Sequence, residues 1–497
     1  MKHFLDKHAL RRYTIMELFL RDRQTWTIAE IATRLDLDAR TVAKDLSALQ
    51  AEFFSWPDIT FVNHQNGISF SLSYAAYFNP NKVLFHFLQT SIPFLFITEL
   101  LAKPSINPVS FIDKHFISKS TFYRHLKMIK EILATFELKI SSPPFTLIGN
   151  EEQIRFFYYF FFDDFDEEHF WQYFPINQDS IITLLSSVEK IMHFQMLEYN
   201  RQSLVKLLAI HKYRMFGKHY APMHQSSTMY PLCDEVGIYS FSIQTLTEFL
   251  RKSQLPEEIC YNESISILAS VISLAFFEQT ASIADSVINY NYRSNTAGIQ
   301  LVDKTLELCC QYFDLPQEEI TKFIKASLLC VYFFVVNYTV NISYFENMEQ
   351  YKDFIDEYQV EIKQCTKSIY QLAKKILPKE NYQHIIASES YIKYSLTKIL
   401  LPIIKHHKVR RAIRVYATCA KGYHQTRYLQ TYLSNHFAFN LEFTTYPIDA
   451  DIIITDTELI DHQINENSII VNYHYPFLSE VDKLRLQEVL TDFEKKL

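Results

Sequence analysis

At 497 residues the chain is too long for one ordinary core and predicts three to five domains. With 48% hydrophobic, 15% aromatic and 21% charged residues it can bury several cores, which excludes wholesale disorder. A net charge of −7 excludes a chain that coats nucleic acid along its whole length, yet residues 1–150 carry 17 Lys and Arg against 13 Asp and Glu, a local positive excess.

Only six glycines occur, and no two are close enough for a dinucleotide fingerprint or a Walker phosphate loop. HExxH and GxSxG are also absent, so no catalytic residue, metal ligand set or cofactor is expected and the chain does not read as an enzyme. Seven cysteines without a CxxC pair fit a reducing, cytoplasmic setting rather than a disulfide framework. The opening residues lack the apolar core of a secretory signal. The most apolar stretches, Ile265 to Phe277 and Ser327 to Val336, fall short of the ~20 residues of a membrane span, so both are expected as buried helices.

From Thr27 the residues read as a helix-turn-helix. Thr27 can cap a helix burying Ile28, Ile31, Ala32 and Leu35, and Asp38 can cap a second burying Val42, Leu46 and Leu49. Arg40, Thr41 and Lys44 occupy the opposite face. A guanidinium, a hydroxyl and an ammonium in the first two turns are what a recognition helix needs against phosphates and base edges of double-stranded DNA. The runs Ile59 to Val62 and Ile68 to Leu72, joined through Asn63-His64-Gln65-Asn66-Gly67, predict a hairpin wing.

Eighty residues on, the pattern recurs. Asp38 falls on Ser118, Thr41 on Thr121, Val42 on Phe122, Lys44 on Arg124, Leu46 on Leu126 and Leu49 on Ile129. The second recognition helix, Lys119 to Phe136, is expected to present Lys119, Ser120, Thr121, Arg124, His125 and Lys127 on its polar side. A second hairpin is expected at Leu138–Ile140 and Phe145–Ile148, turning through Ser141-Ser142-Pro143-Pro144.

Residues 150–400 read as helical. Phe156 to Phe162 predicts a buried helix ending in an acidic turn, and Leu204, Leu207, Leu208 and His211, like Leu246, Phe249 and Leu250, have the spacing of amphipathic bundle helices. His211 is a candidate phosphoacceptor on a half-buried helix. The segments from Gly217 to Leu232 and from Leu377 to Asn381 read as exposed loops. After the basic link Lys405 to Arg411, β-prone runs at Ala412–Thr418, Asn440–Tyr446, Asp451–Thr455 and Ser468–Tyr473, with a helix at Tyr423–Phe437, predict a small α/β domain with a largely parallel sheet. Cys419-Ala420-Lys421-Gly422 would place a thiol at a phosphate-sized loop before that helix, which makes Cys419 a second candidate for phosphorylation.

The whole chain resembles the Mga/AtxA family of virulence regulators of Gram-positive bacteria, best in the stretch Ser118-Lys119-Ser120-Thr121-Phe122-Tyr123-Arg124-His125-Leu126 and on through Phe145 to Arg155. The resemblance implies a mainly α, multi-domain fold. It would hold winged helix-turn-helix domains at 1–75 and 76–154, helical domains like the phosphotransferase-system regulatory domains (PRDs) at 155–285 and 286–405, and an EIIB-like α/β domain at 409–497. It further implies a promoter-binding virulence-gene activator, a homodimer formed through the C-terminal domain, and modulation by a phosphotransferase-system phosphocarrier protein. No histidine lies between His224 and His384, so the second PRD-like region lacks a phosphoacceptor through most of its length, and His219 and His224 stand behind His211. A phosphotransfer protein working through Cys419 and a protein-interaction scaffold are the alternatives to be tested against a DNA-binding regulator.

Overall fold

Side-chain caps set where the N-terminal helices begin. In the computed structural model, α1 (Lys7–Arg21) starts at Asp6, a short strand β1 (Trp26–Thr27) leads into α2 (Ile28–Leu35), and α3 (Ala39–Glu52) follows a tight turn. The strands β2 (Ile59–His64) and β3 (Ser69–Tyr74) pair antiparallel with Val62 opposite Ser71, and β1 adds to the far edge of β3, giving the order β1-β3-β2. This is a winged helix with a three-stranded sheet. The structure describes residues 2–22, 24–64, 67–76, 78–163, 165–191, 198–223, 238–274, 281–315, 317, 320–339, 352–408, 412–437, 439–457, 464–465, 467–473 and 480–494. Gln65 and Asn66 of the first wing's turn therefore lie outside the described residues.

The second winged helix has two apolar helices ahead of it, α4 (Asn81–Thr90) and α5 (Ile92–Ala102), with Phe94, Phe96 and Ile97 of α5 fully buried. Then come α6 (Pro108–Lys114), capped by Asn107, and α7 (Lys119–Ala134), capped by Ser118. The strands β4 (Lys139–Ile140) and β5 (Leu147–Ile148) close the hairpin, and Ile106 bridges to Phe145 beside them. The Ser141 hydroxyl shapes the hairpin's turn by donating to the Pro144 carbonyl at 3.0 Å and accepting the Thr146 N–H at 2.8 Å.

The aromatic run forms α8 (Glu151–Phe162), which is buried on nearly every side. Phe161 meets Phe4 and Phe94 at 4.8 and 5.2 Å between ring centroids, whereas Phe156 stacks on Tyr338 at 4.4 Å. Beyond it run α9 (Glu167–Trp171), α10 (Gln178–Ile191), α11 (Glu198–Phe216), α12 (Ile238–Arg251), α13 (Glu257–Ser273), α14 (Ala281–Arg293), α15 (Ala297–Phe313), α16 (Lys322–Asn337), α17 (Lys352–Glu357), α18 (Gln359–Ile376), α19 (Lys379–Ala387) and α20 (Glu389–Lys408). The two apolar stretches fall in α13 and α16 as expected, except for Leu274, the residue that closes α13, and residues 275–277, which lie outside the described residues.

Two expectations for this region are corrected. The helix carrying His211 is not an ordinary amphipathic one: residues 203–211 are all buried, because α11 packs against α8, α10 and α13 at once. The segment from Leu377 to Asn381 is not an exposed loop; Leu377 is buried and Pro378 is the N-cap of α19, whose first turn holds Asn381. Of the Gly217–Leu232 segment only residues up to 223 are described.

The described chain is mostly helical and divides into two compact units, Met1–Leu308 with Ile320–Leu396, and Cys309–Glu319 with Thr397–Leu497. In the second unit β6 (Ile413–Ala417), α21 (Tyr423–His436), β7 (Leu441–Phe443), β8 (Ile452–Thr455), β9 (Ile469–Asn472) and α22 (Glu480–Glu494) build a parallel sheet of order β7-β6-β8-β9. Val415, Ile452, Ile454, Leu433, Leu486 and Leu490 form its core. Of the basic link, residues 409–411 lie outside the described residues. No single described helix is long and apolar enough to cross a membrane.

Candidate nucleic-acid interface

Each recognition helix is held at its start by one side chain. In the first domain the Asp38 carboxylate accepts the N–H groups of Arg40 and Thr41 at 2.9 and 3.2 Å. The helix before it has a reciprocal capping box. Thr27 Oγ1 accepts the Glu30 N–H, and the Glu30 carboxylate accepts both the N–H and the hydroxyl of Thr27 at 2.8 Å, which holds that carboxyl below its ordinary range. Val42, Leu46 and Leu49 fill the inner face of α3, and the nearly buried Asp45 ties the helix to α1 by accepting from Arg11 and Arg12. That leaves Arg40 and Lys44 exposed on the outer face, with Thr41 half-buried between them.

The second domain repeats the device with hydroxyls. Ser118 Oγ accepts the Thr121 N–H at 3.1 Å and donates to Thr121 Oγ1 at 2.9 Å, while Ser120 Oγ lies 2.9 Å away, so three hydroxyls gather at the first turn of α7. Lys119, Ser120, Arg124 and Lys127 are exposed, and Lys127 stands 4.0 Å from Glu131. Behind them Glu99 of α5 accepts from Lys103 at 2.6 Å and Lys114 at 2.7 Å; burial opposes its charge, but the two lysines keep its carboxyl below the ordinary range. Lys103 and Lys114 are thereby largely neutralised. Among the described residues no ion pair engages Arg40, Lys44, Lys119 or Arg124, so these four are among the cations available to phosphates.

The duplication reaches down to exposure. Residues 31–40 and 111–120 follow the same succession of buried, half-buried and exposed positions, residue for residue. His125 departs from the expectation placed on it: it is buried at 8% exposure and does not belong to the outer face. Its register partner is Asp45, the position that faces backwards into the domain, and that correspondence was the signal that it points inward. Burial, then the neighbouring Arg124, lowers its imidazole pKa. Tyr123, which the sequence did not single out, is instead exposed on the outer side of α7.

The two phosphorylation candidates sit in closed surroundings. His211 is 1% exposed, with Nδ1 2.9 Å from Arg155 Nη1 and Nε2 3.5 Å from Ser270 Oγ. A guanidinium only donates, so Nδ1 must be the accepting nitrogen and the ring is neutral. Burial, then the charge of Arg155, pushes its pKa well below the ordinary value. His219 is exposed and lends its carbonyl to Arg155, and His224 lies outside the described residues. Cys419 is 6% exposed at the carboxyl end of β6, where the sheet order reverses and an open α/β sheet forms its crevice. Its thiol donates to Asp456 Oδ2 at 3.4 Å, and Asp456 Oδ1 accepts the Ala420 N–H at 2.8 Å. A carboxylate of the chain itself occupies the place where the loop's N–H would meet a phosphate. Among the described residues no group of three or more His, Cys, Asp or Glu side chains is placed to hold a metal.

Comparison with known proteins agrees with this geometry. The Mga helix-turn-helix domain family matches residues 77–162, the second winged helix together with α8, and a general helix-turn-helix domain family matches residues 11–62. A Streptococcus pneumoniae serotype 4 protein named provisionally as a trans-acting regulator is 26% identical over 231 residues, 46% of this chain and 45% of its own length. The capsule synthesis positive regulator AcpA of Bacillus anthracis is 19% identical over 206 residues, 41% of this chain and 42% of its own. The anthrax toxin expression trans-acting positive regulator of the same organism is 25% identical over 210 residues, again 41% and 42%. The matched region spans less than half the length of each of these relatives. With two helix-turn-helix domains, the second of the Mga type, the chain is related to the Mga/AtxA-like transcriptional regulators of Gram-positive bacteria.

Proposed function

We propose that the chain is a transcription regulator, an activator of virulence genes by analogy with its relatives, that binds double-stranded promoter DNA through both winged helices. The observation that carries this reading is the pair of capped helices in equivalent registers, each with two exposed cations outside any described ion pair in its first two turns and each followed by a hairpin. The second domain, which carries the Mga-type match, is by that resemblance at least an equal contributor.

Dimerisation through the C-terminal unit is part of the proposal. It is supported by the apolar side chains this unit leaves in water, Ile470 on the edge strand β9 and Val481 and Leu484 on α22. The parallel order β7-β6-β8-β9 with a cysteine loop after β6 supports an EIIB-like reading of the same unit, and the bundled helices between α8 and α20 support the PRD-like one. Control by a phosphocarrier protein at His211 would require α8, α11 and α13 to part, since the imidazole is enclosed by all three. Phosphotransfer through Cys419 is disfavoured by Asp456, whose charge would repel the incoming phosphoryl group.

The test is binding of the purified chain to duplex DNA from upstream of its own gene across a salt series. Arg40→Ala/Lys44→Ala and Lys119→Ala/Arg124→Ala are each expected to weaken binding tenfold or more, about 1.4 kcal/mol, and to flatten the salt slope. Unchanged binding by both pairs, or no binding at low salt, would remove DNA recognition from these helices.

A further inference from the structure

The turn between α6 and α7 holds a residue that the fold does not account for. Phe116 has φ +53, in the left-handed region, and its side chain is 96% exposed. A bulky L-residue pays steric strain in that region, where glycine or asparagine is at ease. A ring left in water also gives up the burial that selects phenylalanine elsewhere. Neither backbone geometry nor packing therefore chooses this side chain.

The first domain provides the control. Its turn closes with the same contact, Leu37 N–H to the Ala32 carbonyl at 2.9 Å against Ile117 N–H to the Ile112 carbonyl at 3.2 Å. The residue matching Phe116 is Asp36, at φ +52 and also exposed. Aspartate tolerates this conformation. Its carboxylate would be repelled by a phosphate backbone, whereas the ring would not. Phe116 also lies two residues before the Ser118 cap, at the end of the recognition helix that points toward the groove, between the exposed Lys114 and Lys119.

We infer that Phe116 is a DNA-contacting residue of the second winged helix. Its ring makes apolar contact at the margin of the major groove, with sugar carbons or thymine methyl groups, while Lys119 holds the backbone. Asp36 makes no equivalent contact, so the two domains read DNA unequally. This rests on the DNA-binding proposal above and assigns it a residue that carries no charge.

The test uses the full chain, the upstream duplex and the variants Phe116→Gly, Phe116→Leu and Lys119→Ala/Arg124→Ala. Glycine relieves the backbone, so Phe116→Gly is expected to keep or raise Tm. It should nevertheless bind about fivefold to tenfold more weakly with an unchanged salt slope, and Phe116→Leu should retain most of the affinity. Wild-type affinity in Phe116→Gly, beside a weakened Lys119→Ala/Arg124→Ala, overturns the role of Phe116 and leaves DNA binding standing. A fall in Tm that accounts for the loss of binding overturns it too, as a structural role. If the wild-type chain does not bind, the reading beneath fails first.

Discussion

Arg155 shows how much one side chain can carry. It is 1% exposed, and its donors meet Glu263 at 2.6 and 3.0 Å, Glu151 at 3.0 Å, His211 at 2.9 Å and the His219 carbonyl at 2.8 Å. All five guanidinium N–H groups are thus used. Burial works against the charge, but Glu263 and Glu151 outweigh it and raise the pKa above its already high value. Removing one member leaves the other buried and uncompensated. Arg155→Met is expected to destabilise the protein by about 3–5 kcal/mol in denaturant unfolding, and Arg155→Met/Glu263→Leu by clearly less. Losses in Arg155→Met and Glu263→Leu that simply add in the double variant would show that the pair is not energetically coupled. None of this was legible in the sequence, where nothing marks Arg155 as buried and Glu263 lies 108 residues away.

At the scale of elements, legibility followed locality. The recognition helices, the hairpins and the four C-terminal strands were readable because caps, apolar spacing and turn residues all act within a few positions; α7 ends at Ala134 rather than Phe136, the first wing's β2 takes in Asn63 and His64 that were expected in its turn, and the C-terminal strands come one or a few residues shorter than their β-prone runs. The strand β1 was not readable, since two residues become a strand only through a partner some 40 positions on, Trp26 opposite Phe70. His125 was misplaced for a related reason: its inward direction is set by how α7 seats in its domain, not by its own polarity. The caps are testable as elements. Asp38→Ala and Ser118→Ala should each cost about 1 kcal/mol of stability, with faster amide exchange in the first turn of α3 or α7 respectively. Unchanged protection in those turns would mean that packing against the domain alone fixes the helix starts.

Over the whole first unit, α8 joins what composition and spacing presented as separate parts. Its aromatic side chains contact Phe4 and Phe94 on one side and Tyr338 on another, and Gln153 exchanges two hydrogen bonds with the Thr339 backbone at 2.8 and 3.0 Å. The winged helices and the helical middle are therefore fastened together through α8, with Phe85 and Phe94 adding contacts to Phe165, His169 and Tyr173, and the fully enclosed His211 packs against the same helix. A histidine whose folded pKa is depressed binds fewer protons than it does unfolded, so the stability it contributes is complete above about pH 6.5 and is lost as pH falls toward the folded value. His3, His115, His125 and His219 are shifted in the same direction, each chiefly by burial, and add to the trend. Unfolding free energy is accordingly expected to fall between pH 7.5 and 5.5, a window above the ordinary carboxylate range. His211→Asn keeps an acceptor for Arg155 but cannot titrate, and should flatten that dependence by up to about 1.4 kcal/mol per pH unit. An undiminished slope in His211→Asn would mean that the imidazole takes up its proton inside the fold, and that the α8, α11 and α13 contact yields to acid before the protein unfolds.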